Sequence, residues 1–417
     1  MNIQKTAVLT ICSRNYLGQA LTLRESVIRH GSNYDFYLFL ADESGDISQE
    51  WIIPLDNDIV PEWRTMAFKY NVIEFNTCIK PFCIEYLFKK GYEQVLYIDP
   101  DIYLFDNLDS VVDKLQEYSI VLTPHRIKMM TGVDGFVNDV AISQNGIFNL
   151  GFCAIKNDEI GNRIIRWWEK RLSQFCYNEA REGLAVDQKW MNFIPAYFPK
   201  DVYISHDPGL NLAIWNINER EVSFIDGKPY VNVKGSEKKF SLKFFHFSGF
   251  SPEIPNRLDK RSPESDLKNF PSLQSLVKEY YDSEMANDFF GYRKYAYSFN
   301  YFSNGVKIYP LHRRIFRMKE EDWKKKGDPF EADGFVYTKF KNNHLLPNAK
   351  AVGNSASGGN AVTISKTGAG AHSLSKAHKV MRVVLRLVGV DKYHRLLRGL
   401  FGNLSKFENN TFLISDD

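Results

Sequence analysis

Two aspartates separated by one proline, Asp99-Pro100-Asp101, are the residues of this chain whose type and spacing best suit chemistry. They follow the apolar run Val95-Leu96-Tyr97-Ile98, which reads as a short buried strand. Pro100 favours an extended backbone, and residues i and i+2 of an extended chain point the same way. Both carboxylates are therefore expected to face one site at a strand end. Carboxylates held that close repel each other unless a cation or donor lies between them. Mn²⁺ or Mg²⁺ is the natural occupant of such an oxygen-rich site. A second pair of the same pattern, Asp56-Asn57-Asp58, sits in a polar stretch with no strand before it and reads as a turn.

The elements that must position these groups alternate. Residues 5–12 read as a buried strand, 16–30 as a helix with apolar spacing, and 35–41 as a second strand. A helical stretch over 62–90 stops at Lys89-Lys90-Gly91. Strands follow at 95–98, 119–123 and 148–155, then a Trp-rich helix over 158–175. Strand–helix alternation predicts an α/β fold with a mainly parallel sheet flanked by helices. Ligands of such sheets bind at the carboxyl ends of the strands. That directs attention to Ser13 through Tyr16, to Asp42, and to Asp99 through Asp101. The polar segment 124–146 is long for a loop and is expected to be either a lid or acceptor loop or an ordinary insertion.

Composition narrows the class. The chain has 417 residues, 44% of them hydrophobic, enough for a sizeable core. A net charge of +3 gives no nucleic-acid footprint. The five Cys fit no zinc spacing, and most lie in apolar runs, which predicts reduced structural thiols. The start does not read as a signal peptide, and no run reaches a membrane span of about 20 apolar residues. The expected location is thus cytoplasmic. No G-x-x-x-x-G-K-[ST] occurs, which excludes a phosphate-loop ATPase.

Several further segments complete a pattern. In order they are Thr10-Ile11-Cys12-Ser13-Arg14-Asn15-Tyr16, Lys80-Pro81, the Asp99-Pro100-Asp101 strand end, Phe148-Asn149-Leu150-Gly151-Phe152, Asp187-Gln188, and Phe245-His246-Phe247-Ser248-Gly249. On these the chain resembles GT-A-fold (Rossmann-like) glycosyltransferases, most closely glycosyltransferase family 8 and related bacterial polysaccharide and lipopolysaccharide enzymes. The resemblance covers about residues 5–250. It implies a nucleoside diphosphate sugar as donor, UDP-linked by family habit, a glycan or lipid-linked glycan acceptor, and retention of anomeric configuration.

The resemblance also implies roles. The loop with Thr10, Ser13, Asn15 and Tyr16 would hold the nucleotide. Lys80 would lie near the ribose and diphosphate, and Asn149 with Asp187-Gln188 at the donor sugar. His246 would be the third metal ligand beside Asp99 and Asp101, with Gly249 completing the family's H-x-x-G. The family's following Lys-Pro-Trp is replaced here by Phe250-Ser251-Pro252, leaving Arg257 or Lys260 to clamp phosphate. Trp215 near Asp207-Pro208-Gly209-Leu210-Asn211 is either a sugar face or a buried ring after a turn. For an inverting reaction, Asp134 and Asp139 are the candidate bases.

The alternatives are a sugar-nucleotide nucleotidyltransferase, whose Gly-rich first loop is missing here, and a non-catalytic glycan- or nucleotide-binding protein. The expected organisation is a catalytic domain over 1–250, an appended subdomain over 251–345, a Gly/Ala/Ser-rich linker over 346–375, and a basic amphipathic helical tail over 376–417. Residues 376–406 carry eight Lys/Arg against one Asp, which suits either a solvated basic helix packed on its own domain or peripheral contact with an anionic membrane, here the inner face of the cytoplasmic membrane.

Overall fold

The computed structural model describes residues 5–31, 33–129, 137–343 and 345–346, together with Val383 and Leu387. Apart from Leu346, Val383 and Leu387, the expected linker and the basic tail lie outside the described residues, as does Asp134. The chain divides into two compact units, Met1–Phe299 and Asn300–Asp417. All the candidate site residues fall in the first unit.

The central sheet is built from strands whose composition demands burial on both faces. β1 (Thr6–Cys12) is buried at every position. It pairs in parallel with β2 (Tyr34–Leu40), which pairs in parallel with β3 (Ile52–Pro54). On its other side β1 pairs in parallel with β4 (Gln94–Ile98). After β4 come the short β5 (Ile102–Leu104), then β6 (Ile120–Pro124) and β7 (Phe148–Lys156). β7 runs antiparallel between β4 and β6. Two two-residue strands, β8 (Asn178–Glu179) and β9 (Leu184–Ala185), form a separate ribbon. β10 (Val202–Ile204) closes the edge in parallel with β6. The seven-stranded order is β10-β6-β7-β4-β1-β2-β3, mixed and mainly parallel, as the alternation predicts.

A second, three-stranded sheet carries part of the site. β11 (Leu212–Ala213) leads to the hairpin β12 (Arg220–Ile225) and β13 (Lys228–Val233), which also pairs with β14 (Phe240–Ser241). β15 (Phe244–His246) then lies between β11 and β5.

Helices cover the sheet. α1 (Leu17–His30) buries Leu17, Ala20, Leu23 and Val27, the spacing of one helical face. The expected helical stretch over 62–90 is broken into α2 (Trp63–Lys69), α3 (Val72–Cys78) and α4 (Lys80–Lys89). Local chemistry explains the breaks. Tyr70 is extended, Asn71 starts a new helix through a capping box with Glu74, and Pro81 sits in the first turn of α4. α5 (Asp109–Lys114), α6 (Asp139–Asn145) and α7 (Glu159–Phe175) follow, with Asp158 capping α7. α8 (Ile194–Tyr197), α9 (Gln274–Ala286) and α10 (Phe289–Tyr292) complete the first unit.

Residues 251–299 belong to this first unit. α9 sets Leu276, Val277 and Tyr280 in one apolar cluster with Tyr103, Phe245 and Phe247. The second unit holds α11 (Pro310–Trp323) and α12 (Phe335–Asn342), where Trp323 meets Phe316, Phe335 and Phe340 edge-on. All five Cys are buried and unbridged, as read from their apolar surroundings. Among the described residues no helix is long and apolar enough to cross a membrane.

Candidate metal and diphosphate site

Asp99 leaves β4 and its backbone N–H donates to Gly151 O on the neighbouring β7 at 2.7 Å. The chain then turns, with Ile102 N–H donating to Asp99 O at 3.1 Å, so Pro100 occupies the second position of a turn. This corrects the extended backbone expected for Asp99-Pro100-Asp101. Proline's fixed φ suits that turn position as well as it suits a strand. The two carboxylates converge because the turn folds them together.

The turn feeds β5, and β5 pairs antiparallel with β15 in a register that sets His246 opposite Ile102. His246 is thereby delivered to the aspartates. Its Nε2 lies 3.1 Å from Asp101 Oδ1 and 3.9 Å from Asp99 Oδ2. One ligand atom from each of Asp99, Asp101 and His246 falls within 4.8 Å of the others. The sequence's second pair does nothing similar. Asp56 Oδ1 accepts from the backbone of Asp58 and Ile59 in an ordinary turn, as expected.

The tautomer of His246 follows from its neighbours. Asn149 Oδ1 accepts from Gly151 N–H at 3.2 Å and from Asn211 Nδ2 at 3.1 Å, which fixes the amide orientation. His246 Nδ1, 3.2 Å from the same oxygen, must then carry a proton and donate it. The Nε2 lone pair of a neutral ring is left facing two carboxylates. That arrangement is repulsive unless a cation or a proton lies between them, and two carboxylates with one imidazole suit Mn²⁺ or Mg²⁺. The residues present therefore fit a divalent cation.

Behind Asn149 stands His125, which sequence reasoning missed. It donates from Nδ1 to Ile147 O at 3.1 Å and accepts at Nε2 from Asn149 Nδ2 at 3.4 Å. Burial pushes its pKa down to about 4, so it remains neutral. Its position just after β6 was the only signal available. Trp215 proves to be the buried ring of the two expectations, lying edge-on to His246 at 5.0 Å and to His125 at 5.3 Å.

Lys80, at the start of α4, is almost wholly buried. Its ammonium lies 2.7 Å from Asp187 Oδ2 and 3.7 Å from Asp99 Oδ1, and donates to Leu150 O at 2.8 Å. Burial alone would lower the pKa of Lys80; Asp187 and Asp99 outweigh it and raise it. Asp187 is preceded by Val186 at φ +42°, an unusual conformation for a β-branched residue and a strained point beside the site. Asp187 makes no side-chain cap to the 3₁₀-helix Gln188–Phe193. Gln188 accepts from Leu150 N–H at 3.1 Å and donates to Asn145 O at 3.0 Å, tying this helix to the end of the 124–146 segment. Asp139 is exposed at the first position of α6.

The first-strand loop meets the same region. Ser13 donates to Asn15 at 2.6 Å, and the buried Thr10 hydroxyl has no hydrogen-bond partner among the described residues. Burial and then Asp101 push the Tyr16 hydroxyl pKa up, while Arg293 and Arg261 pull it down. The Arg293 guanidinium lies 5.6 Å from the Tyr16 ring centre. Burial works against ionisation of Asp101, and His246 and Arg261 more than reverse this. Arg261 is held by Asp259 at 2.8 Å. Lys260 is pushed down by burial, then by Arg293 and Arg261. Lys260, Arg261 and Arg293 thus lie close enough to act on one another's charge, and Arg261 and Arg293 act on Tyr16 as well. Lys260 and Arg257 are the candidates the sequence offers for phosphate; Arg261 and Arg293 are not among them. Gly249 holds φ +86°, and a Cβ there would sit 2.5 Å from Asp259 and 2.6 Å from Arg261.

No protein-family model matches the chain. Two proteins of Bacillus subtilis (strain 168) are similar to it. "Uncharacterized protein YfnF" is 23% identical over 66% of this chain and 91% of its own length; "Uncharacterized protein YfnD" is 24% identical over 58% and 77%.

Among solved structures, similarity extends to a glycosyltransferase involved in glycosylation of the major capsid of PBCV-1 (14% identity, 59% of this chain and 94% of that one, TM-score 0.33). The glycosyltransferase GlyE of Streptococcus pneumoniae TIGR4 (17%, 72% and 67%, TM-score 0.36) and mouse xyloside xylosyltransferase 1 (11%, 58% and 97%, TM-score 0.35) also match.

Proposed function

We propose that this chain is a metal-dependent glycosyltransferase that moves a hexose from a nucleoside diphosphate sugar, a UDP-sugar, to a hydroxyl of a glycan or lipid-linked glycan, with retention. The observation that carries the reading is the convergence of Asp99, Asp101 and a His246 whose Nδ1 proton is committed to Asn149. Asp99, Asp101 and His246 would hold Mn²⁺ or Mg²⁺. Once bound, that cation would offset the negative charge developing on a diphosphate leaving group.

The remaining roles belong to the chain itself. Arg261, Arg293 and Lys260 supply positive charge for phosphate oxygens beside Tyr16. Tyr16 offers a ring for the base, with Thr10, Ser13 and Asn15 lining the nucleotide pocket. Lys80 is already engaged with Asp187, Asp99 and Leu150 O, so it acts on the diphosphate through Asp99. Asp187 and Gln188 border the donor sugar. The hexose, the UDP moiety and retention are supported by the family resemblance of the motifs. The buried, unbridged cysteines support a cytoplasmic setting, and the basic segment 376–406 is proposed to touch the membrane there.

The test is a thermal-shift screen of sugar nucleotides with and without Mn²⁺. Binding to the folded state at a hundred times Kd adds about 2.7 kcal/mol of stability. A UDP-sugar should raise Tm only with the metal. No shift with any sugar nucleotide, or equal shifts in EDTA, would overturn the reading.

A further inference from the structure

The 3₁₀-helix that Gln188 opens continues directly into α8. Its aliphatic side chains, Met191 and Ile194, are buried in the ordinary way. Its large exposed side chains are aromatic: Phe193 is 46% exposed and Tyr197 is 55% exposed. With the half-buried Trp190 they form a row. Trp190 and Phe193 have centroids 6.3 Å apart and planes within 30°; Phe193 and Tyr197 lie 5.9 Å apart and within 19°. Trp167 of α7 stands steeply edge-on to all three, at 6.2, 6.5 and 5.9 Å. The Trp190 Nε1 proton is buried and has no acceptor among the described residues.

We propose that this aromatic row is the surface on which the acceptor glycan lies, its sugar rings stacked along Trp190, Phe193 and Tyr197 and its reacting end toward Gln188. This rests on the sugar-transfer reading above. Sugar rings present C–H faces that pack on aromatic surfaces while their hydroxyls stay hydrated, and the half-exposed Phe193 and Tyr197 rings offer such a surface. The centroid steps are comparable to the step between consecutive sugar rings of a glycan. The row is continuous with the site, because it begins two residues after Gln188, which is tied to Leu150 and Asn145. A lipid surface is the weaker occupant: interfacial helices bury Leu and Phe together, whereas the aliphatic residues here face the core.

The test compares the full-length chain with a Phe193→Ala/Tyr197→Ala variant, both positions being exposed enough to spare the fold. Tryptophan fluorescence follows titration with short and long hexose oligosaccharides, and sedimentation follows vesicles of phosphatidylglycerol and phosphatidylcholine. The wild type should bind the longer oligosaccharides more tightly, and the variant should lose about tenfold in affinity, on the scale of stacked aromatic contacts. The variant should keep the wild-type thermal shift with Mn²⁺ and UDP. The proposal is overturned if the wild type binds none of the oligosaccharides, if the variant binds them equally well, or if the substitutions remove vesicle binding instead. Failure of the transfer reading itself would register separately, as no Mn²⁺–UDP shift in either protein.

Discussion

The Lys80 ammonium lies 2.7 Å from the Asp187 carboxylate, with side-chain exposures of only 2% and 3%. A lysine expected near phosphate and an aspartate expected near sugar are thus each other's nearest charge. The pair joins α4 to the strand-end turn, since Lys80 also faces Asp99 at 3.7 Å.

Breaking this pair strands a buried charge, which costs about 3–5 kcal/mol. Lys80→Met, which leaves Asp187 without its cation, should destabilise on that scale, and Asp187→Leu by less, because Lys80 keeps Asp99 at 3.7 Å. The double variant should lose clearly less than the sum of the two, because neither charge is then left alone. Denaturant melts measure this; additive losses would show that the two residues are not coupled.

Gly151 packs against both the imidazole and the first aspartate. A Cβ there would sit 2.4 Å from His246 Cε1 and 2.8 Å from Asp99 Oδ2. Gly151→Ala should therefore weaken Mn²⁺ binding by tenfold or more, on the scale of about 10–100-fold seen when a metal site's supporting residues change. Calorimetric titration reads the effect, and unchanged affinity would mean that the ligands tolerate displacement.

Asn149 sets the His246 tautomer, so its replacement should reach the metal without touching it. Asn149→Ala should lower Mn²⁺ affinity by about 10–100-fold. Asn149→Asp keeps an acceptor for Nδ1 and should retain more affinity than the alanine variant. The reverse ranking would remove Asn149 from its positioning role.

Glu284 on α9 is a buried carboxyl whose Oε2 has no hydrogen-bond partner among the described residues. Burial pushes its pKa up from 4.5 to about 8, with Asp101 adding to the rise and Tyr280 opposing it. The folded-state pKa is above the unfolded one, so the unfolded chain ionises first as pH rises. Stability from the neutral carboxyl is complete below about 4.5 and is lost as pH climbs through about 8. Glu284→Gln should remove that dependence, narrowing the stability gap between acidic and alkaline conditions by on the order of 5 kcal/mol. A gap of unchanged width would show that Glu284 ionises normally.

The legible parts of the fold were those governed by local pattern. β1, β2, β4, β6 and β7 announce themselves as apolar runs, and α1 and α7 by their spacing. The antiparallel placement of β7 was not legible, since a buried strand reads alike in either direction. At the site, Asp99, Asp101 and His246 were legible from strand-end position and motif order. His125 was not, because a single histidine after a strand carries no pattern. Arg261 and Arg293 were not either, because their approach to Asp101 and Tyr16 depends on how residues 251–299 pack onto the first sheet. The turn at Pro100 escaped because proline's φ serves strand and turn alike.

Calorimetric titration of Mn²⁺, with UDP present, into the wild type and Asp101→Ala, each checked for folding by its melt, reads the metal site itself. The wild type should show one saturable Mn²⁺ site per chain, and the folded variant should lose it. Absence of saturable binding in the wild type, or equal binding in the variant, would contradict the proposed metal site.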